Sequence, residues 1–302
     1  MDPRRKYLLV CDFDQTLFET FTPPLGGMDT LQAYASAVTE LFGEEGSEIY
    51  QAAGGLKNRS PGEVISAILS EKSDLGTVAY EIWHENFIDL LPWNFSDPTA
   101  VMTEMLVQLK LQCLLGQISI EWPMPYPGVI GFFKKIEILR MEDRINIDFA
   151  ILSSGHTDFI KKTFGCWGLS PPKVMITDDD LRHLERPPLH NRVKPAPFPF
   201  ALTQLKWLRS LNGNKIGHTR QGMIYIGDDP KKDGGLAKNV NVPFGFFNPR
   251  GILDESCGFP DSSFAFAAWD QVGNFLCHSE TKSRFLQGQS CRDIFSHFFE
   301  IS

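Results

Sequence analysis

At 302 residues the chain is long enough to bury a sizeable core, and its length suggests one large domain or two smaller ones. Its hydrophobic content of 42% and charged content of 22% are those of an ordinary soluble protein, and no apolar run approaches transmembrane length. The net charge of −8 argues against non-specific nucleic-acid binding and against an anionic membrane surface, so neither partner is expected.

The first predicted element is a strand. Lys6 to Thr16 reads K-Y-L-L-V-C-D-F-D-Q-T, an apolar run that ends in two aspartates. Such a run suits a strand buried on both faces, as in a parallel sheet. Alternation along it would send Asp12 and Asp14 to one side and Phe13 to the other. Two carboxylates so close repel one another, and a hard cation such as Mg²⁺ would relieve this. Taken alone, a D-x-D pair is as often a helix cap or a solvated turn.

Residues 18 to 27 hold Pro23, Pro24, Gly26 and Gly27 and predict a loop or hinge. Met28 to Phe42 has helical spacing, with Leu31, Tyr34, Val38 and Leu41 on one stripe. Gly54 to Arg59 is a loop, after which Ser60-Pro61-Gly62-Glu63 has the form of a capping box opening a helix. Further helices are expected from about Leu75 to Leu91 and from Asp97-Pro98 onward, the latter with Val101, Met105, Leu109 and Cys113 at helical spacing. Tyr80, Trp83, His84, Phe87, Trp93 and Phe95 form an aromatic group, read first as core packing and second as a substrate wall.

The texture changes at Trp122 to Gly128, a proline-rich return linker. A helix is expected from Val129 to Arg140. Short apolar runs follow at Ile147–Leu152, Lys173–Ile176, Gly222–Ile226 and Val242–Phe247, with helical stretches between them, notably Phe200–Leu211 with a C-cap at Gly213. This rhythm means βαβ units and a parallel sheet. The first strand is thus separated from its sheet by a helical insert of roughly a hundred residues, too long for a simple connection. Phe259 to Leu276 reads as a last edge strand and helix, and residues 278–302 carry an amphipathic pattern of Phe285, Ile294, Phe295, Phe298 and Phe299.

Three later strand ends are polar. Phe149 to Leu152 runs into Ser153-Ser154-Gly155, where a hydroxyl, a glycine and a helix N-terminus would suit a phosphate, although a plain serine N-cap is the commoner meaning of such a run. Lys194 is braced by Pro195 and Pro197, within a stretch from Arg186 to Gly227 that holds seven basic residues and no acidic one. A basic helix face accounts for Lys206, Arg209 and Lys215. Met223 to Ile226 ends at Gly227-Asp228-Asp229-Pro230-Lys231-Lys232-Asp233, a second acidic pair after a glycine read as permitting a tight turn. The six cysteines form no C-x-x-C pair, so no zinc or redox motif is visible and a cytoplasmic, reducing setting fits. The apolar run after Arg4, Arg5 and Lys6 is too short for a signal sequence.

In this order, D-F-D-Q-T, L-S-S-G, V-K-P and G-D-D-P-K-K-D resemble the four signature motifs of the haloacid dehalogenase (HAD) superfamily. The resemblance implies an α/β fold, a Rossmann-like parallel sheet formed by residues 1–21 and 126–277. Residues 22–125 would be an inserted, mostly helical C1-type cap, and 278–302 a tail helix. It implies a phosphatase acting on a small phosphorylated metabolite through an aspartyl-phosphate. Asp12 would be the nucleophile and Asp14 the general acid and base, with Thr16 bracing the loop. Mg²⁺ would be held by Asp12, the carbonyl of Asp14 and Asp228, with Asp229 or Asp233 as the additional acid. Ser153, Ser154, Gly155 and Lys194 would hold the phosphoryl group. Lys57 and Arg59 of the cap would meet a further anionic group of the substrate. The presence of Asp14 favours a phosphatase over a dehalogenase. A phosphomutase, or a non-catalytic phosphate-binding protein on the same fold, are the alternatives. The oligomeric state is not legible.

Overall fold

The computed structural model describes residues 7–55, 60–87, 98–119, 121–142, 147–182, 184, 186–211, 222–250 and 263–272. In chain order the first elements are β1 (Tyr7–Cys11), β2 (Phe18–Glu19), α1 (Thr30–Ala52), α2 (Pro61–Glu71), α3 (Ser73–Phe87) and α4 (Pro98–Gln117). Then come β3 (Met124–Pro125), α5 (Val129–Met141), β4 (Ile147–Leu152), α6 (Thr157–Cys166), β5 (Val174–Ile176), α7 (Asp178–Leu181) and α8 (Leu189–Arg192). The last are α9 (Phe198–Ser210), β6 (Gly222–Gly227), α10 (Asp233–Asn239), β7 (Phe244–Phe247) and β8 (Phe264–Phe266).

β1 is buried along its whole length because strands flank it on both sides and helices cover both faces. The sheet order is β5-β4-β1-β6-β7-β8, and every pair is parallel. Cys11 is level with Ile151 of β4 and with Ile226 of β6. The residues that follow these three strands therefore emerge side by side. The chain passes from β1 to β4 on one side and later to β6 on the other, which makes the end of β1 a topological switch point, where open α/β sheets place their ligands.

Leu8 and Val10, with Leu152, Tyr225 and Phe244, join Phe198, Trp207 and Leu236 of α9 and α10 in one core. The opposite side is aromatic: Phe13 packs on Phe18, Phe159 and Phe164, and Phe149 on Phe132 and Phe133. Burying each such side chain contributes about 2–3 kcal/mol.

The chain divides into two compact units, Met1–Glu19 with Met124–Ser302, and Thr20–Pro123. Both boundaries lie two residues earlier in the chain than the expected ones. There, β2 and β3 pair antiparallel, Phe18 with Pro125 and Glu19 with Met124, so both chain crossings belong to the sheet unit. Residues read as loop and linker are thus a short ladder.

Among its described residues the regular elements of the second unit are the helices α1 to α4, and residues 20–29 before them are turn and irregular chain. Asp29 caps α1 in a capping box with Gln32, which starts the helix at Thr30 rather than Met28. Gly43, at φ +69°, breaks α1 without ending it, and helix continues to Ala52. Ser60 and Glu63 form the expected capping box of α2. Val38, Leu41, Ile65, Ile68, Met105 and Leu109 build its core. Tyr80 departs from the packing reading, being 41% exposed. Trp83 packs partly on the core and donates from Nε1 to the Glu40 carbonyl at 3.3 Å. The other aromatic positions, His84, Phe87, Trp93 and Phe95, lie outside what the structure describes at side-chain level, and Lys57, Arg59, Gly213 and 278–302 lie outside the described residues. Among the described residues no helix is long and apolar enough to cross a membrane.

Candidate active site

Three strand ends build the site. Asp12 extends β1 by one bond, its N–H donating to the Ile226 carbonyl at 2.8 Å, and its Oδ1 accepts from the Phe13 N–H at 2.8 Å. The chain then turns back at once. Leu17 N–H reaches the Phe13 carbonyl at 3.0 Å, and Gln15 adopts φ +55°, an uncommon left-handed conformation for a side chain of its size. The Tyr126 hydroxyl donates to Gln15 Oε1 at 3.0 Å and Trp269 Nε1 to the Thr16 carbonyl at 2.8 Å, holding that turn. Thr16 itself donates from Oγ1 to Asp228 Oδ1 at 3.0 Å, so it joins the first acidic strand end to the second.

From β4, Ser153 is buried and Ser154 exposed. Ser153 Oγ lies 3.4 Å from Asp14 Oδ2 as its donor and accepts the Gly155 N–H at 2.9 Å. The plain serine cap does not apply: α6 begins at Thr157, with His156 at its N-cap. A Cβ on Gly155 would lie 3.0 Å from Asp14 Oδ2, so glycine lets the loop approach that carboxylate.

The Lys194 side chain is 8% exposed and has three acceptors around its ammonium. Its Nζ donates to Asp233 Oδ1 at 2.7 Å, to Asp12 Oδ2 at 3.0 Å and to the Tyr225 hydroxyl at 3.1 Å. Asp233, at 0% exposure, also accepts the Asp229 N–H on Oδ2 at 3.1 Å. Oxygens of Asp12, Asp228 and Asp233 lie within 4.8 Å of one another. Of the two acids left open by the sequence, Asp233 is the one brought to this cluster. The Asp229 carboxylate instead accepts the N–H groups of Lys231 and Lys232 at 2.8 and 2.9 Å, closing the turn into α10.

Gly227 is present for a different reason from the one its sequence suggests. It is a strand residue of β6 without a positive φ, and a Cβ there would overlap the Asp233 carboxylate. The missing side chain makes room for the acid.

The electrostatics follow from crowding. Burial, followed by repulsion from Asp233, pushes Asp228 up to about 7, against the pull of the Thr16 hydroxyl and Lys194. Burial raises Asp12 well above the usual carboxylate range, with Lys194 opposing and Asp233, Asp228 and Asp14 adding to the rise. Burial works against the charge of Lys194, but Asp12 and Asp233 outweigh it and hold the ammonium above its usual value. Among the described residues, Lys194 is the one cation shown in contact with this cluster, at Asp12 and Asp233. Three hard oxygen donors with that deficit of positive charge fit a divalent ion of the Mg²⁺ kind.

Behind the site lies a layer that the sequence reading missed. The Asp179 carboxylate accepts from the Thr157 N–H at 2.7 Å and from Arg182 NH1 at 2.7 Å, and pairs with His156 Nδ1 at 2.8 Å. Burial opposes its charge, yet His156, Arg182 and the Thr157 N–H outweigh it and hold Asp179 below the usual range. The run Asp178-Asp179-Asp180 was the available signal.

The fold and this centre define an α/β protein with a carboxylate-lined site at the switch point of a parallel sheet. No family model matches the sequence, and no curated protein matches it. Solved structures do, among them a HAD hydrolase, a 2-haloacid dehalogenase and a HAD phosphatase. A HAD hydrolase from Bacillus subtilis bound to magnesium is 12% identical, with 90% of this chain and 99% of that one covered and a TM-score of 0.43. A 2-haloacid dehalogenase from Pseudomonas syringae is 16% identical, with 93% and 100% covered and a TM-score of 0.48. CbbY from Rhodobacter sphaeroides in complex with phosphate is 14% identical, with 88% and 96% covered and a TM-score of 0.47. The set includes dehalogenases as well as phosphatases.

Proposed function

We propose that the protein is a Mg²⁺-dependent phosphatase that hydrolyses a small phosphorylated metabolite through an aspartyl-phosphate. The observation that carries this reading is the Asp12 carboxylate at the end of the central strand, touched by Lys194 at 3.0 Å and flanked by Asp14 and Ser153. A dehalogenase needs no second acid on that loop, whereas a phosphate ester needs a proton donor for its leaving oxygen.

In this reading an Asp12 oxygen attacks phosphorus as the ester P–O bond breaks, and Asp14 gives its proton to the departing oxygen. Asp14 then takes a proton from water as the water attacks phosphorus, the bond to Asp12 breaks, and phosphate leaves. Ser153 and the Gly155 N–H lie beside Asp14, and Lys194 beside Asp12, where they meet the phosphoryl oxygens as charge builds on them. Asp12, Asp228, Asp233 and the Asp14 carbonyl would hold Mg²⁺, which supplies the positive charge that keeps the carboxylates ionised beside an anionic substrate. Lys57 and Arg59 are the cap residues proposed to read the rest of the substrate.

The test is phosphate release from p-nitrophenyl phosphate and a panel of phosphorylated metabolites, with and without Mg²⁺. Release that requires Mg²⁺ and falls about a thousandfold or more in Asp12→Asn is expected. A folded protein inactive on the whole panel with Mg²⁺ present would sink the reading.

A further inference from the structure

Tyr225 is a polar group at the centre of this arrangement to which the mechanism above gives no task. It lies in β6 and is fully buried. Its hydroxyl accepts from Lys194 Nζ at 3.1 Å and has two acceptors of its own, Asp233 Oδ1 at 3.0 Å and the Leu152 carbonyl at 3.3 Å. One oxygen thus meets three of the segments that form the site: the end of β4 just before Ser153, the lysine loop, and the acid that opens α10. The ring is fixed from outside the site, stacked on Phe244 at 6.4 Å between centroids and edge-on to Phe200 at 6.3 Å. The hydroxyl position is therefore set by the hydrophobic core.

An ammonium has three protons, and Lys194 has three acceptors: Asp12, Asp233 and Tyr225. With the phenol oxygen removed, two carboxylates remain, and one buried proton loses its acceptor. The group would then be free to shift between the two acids, and Asp233 would lose a donor. We propose that Tyr225 is a positioning residue that fixes Lys194 between Asp12 and Asp233, so that a phosphoryl group at Asp12 meets the ammonium in one place. The activity arm of this inference rests on the phosphatase reading, whereas the binding arm does not.

Tyr225→Phe deletes one oxygen and keeps the ring packing. Binding of inorganic phosphate in the presence of Mg²⁺, followed by calorimetry well below the melting temperature, should weaken about tenfold, the worth of one hydrogen bond to a charged group. kcat should fall by a larger factor than KM rises, because the ammonium matters most where negative charge develops. Val174→Ala serves as the control. It loosens the same core at the edge strand β5, three strands away from Tyr225, so it should lower the melting temperature and leave phosphate affinity within twofold of wild type. The inference is overturned if folded Tyr225→Phe keeps wild-type phosphate affinity and kcat. It is also overturned if Val174→Ala weakens phosphate binding as much, or if the wild type binds no phosphate. If the wild type binds phosphate but hydrolyses no ester, and Tyr225→Phe still weakens that binding, the phosphatase reading fails and the positioning role stands.

Discussion

A methyl group at Gly227 would occupy the space of the Asp233 carboxylate, and Asp233 is the acid that anchors Lys194. Gly227→Ala should therefore act as a site mutation although residue 227 carries no chemistry. We expect kcat on p-nitrophenyl phosphate to fall about a hundredfold, with loss of about 2 kcal/mol of stability from a displaced buried acid. Gly155→Ala is the comparison, since its nearest neighbours are side-chain oxygens at 3.0 and 3.2 Å, a tight contact rather than an overlap. A smaller loss is expected there, and equal losses in the two variants would count against the account of Gly227. The two acids of the same loop should separate in the same assay. Asp233→Asn removes a charge from both Lys194 and the acidic cluster and should cost about a hundredfold in kcat/KM, the scale of losing a charge-assisted bond in the transition state. Asp229→Asn retains an oxygen for the Lys231 and Lys232 N–H groups and should stay within about threefold of wild type. Steady-state kinetics of the pair decides which acid belongs to the centre.

Among the elements, α7 connects the Ser153–Gly155 loop to the Lys194 loop. Thr177 and Asp180 cap it, the Asp178 N–H reaches the Gly155 carbonyl at 3.1 Å, and Asp179 holds the start of α6 through Thr157 and His156. At its other end Arg192 NH1 donates to the carbonyls of Leu181, Arg182 and Leu184, two residues before Lys194. Asp179→Ala should raise KM about tenfold while leaving Mg²⁺ affinity unchanged, because its contacts lead to the Ser153 loop and not to the acidic cluster. Calorimetric Mg²⁺ titration beside substrate kinetics checks this. The strand ends were legible in sequence because an apolar run that stops at an acidic pair leaves two separate marks. Strands β1, β4 and β6 follow their apolar runs to within a residue. α7 was not legible, since four residues are too few to display a helical period. The Lys194–Asp233 and Tyr225–Leu152 contacts join residues 39 and 73 positions apart, so no local pattern announces them. Tyr225 read only as one more large residue in a buried strand, and Gly227 as a turn.

At the scale of the whole molecule, the central sheet gathers carboxylates faster than it supplies cations, and folding must carry that imbalance. Without metal, burial and Asp233 raise Asp228 to about 7, while the unfolded chain releases the same proton near 4. Between these values the folded state binds more protons than the unfolded state, so unfolding free energy falls as pH rises through the window and levels off above about 7. Burial moves Asp12 in the same direction. Asp179, held low by His156, Arg182 and Thr157 in spite of its burial, has the opposite sign, and its contribution is lost progressively as pH falls below about 4. In EDTA the melting temperature should therefore decline from about pH 5 to about pH 7.5. Mg²⁺ binds the ionised carboxylates, so it should reverse that decline by mass action. At a hundred times its Kd it adds about 2.7 kcal/mol, or about 5 °C for a chain of this size, at pH 7.5, and much less at pH 5. Asp228→Asn should flatten the metal-free pH dependence and remove most of the Mg²⁺ shift together. Thermal melts at the two pH values, with EDTA and with Mg²⁺, measure both effects on folded protein without any substrate. A Mg²⁺ shift as large at pH 5 as at pH 7.5 would place the ion somewhere other than the acidic ends of β1 and β6.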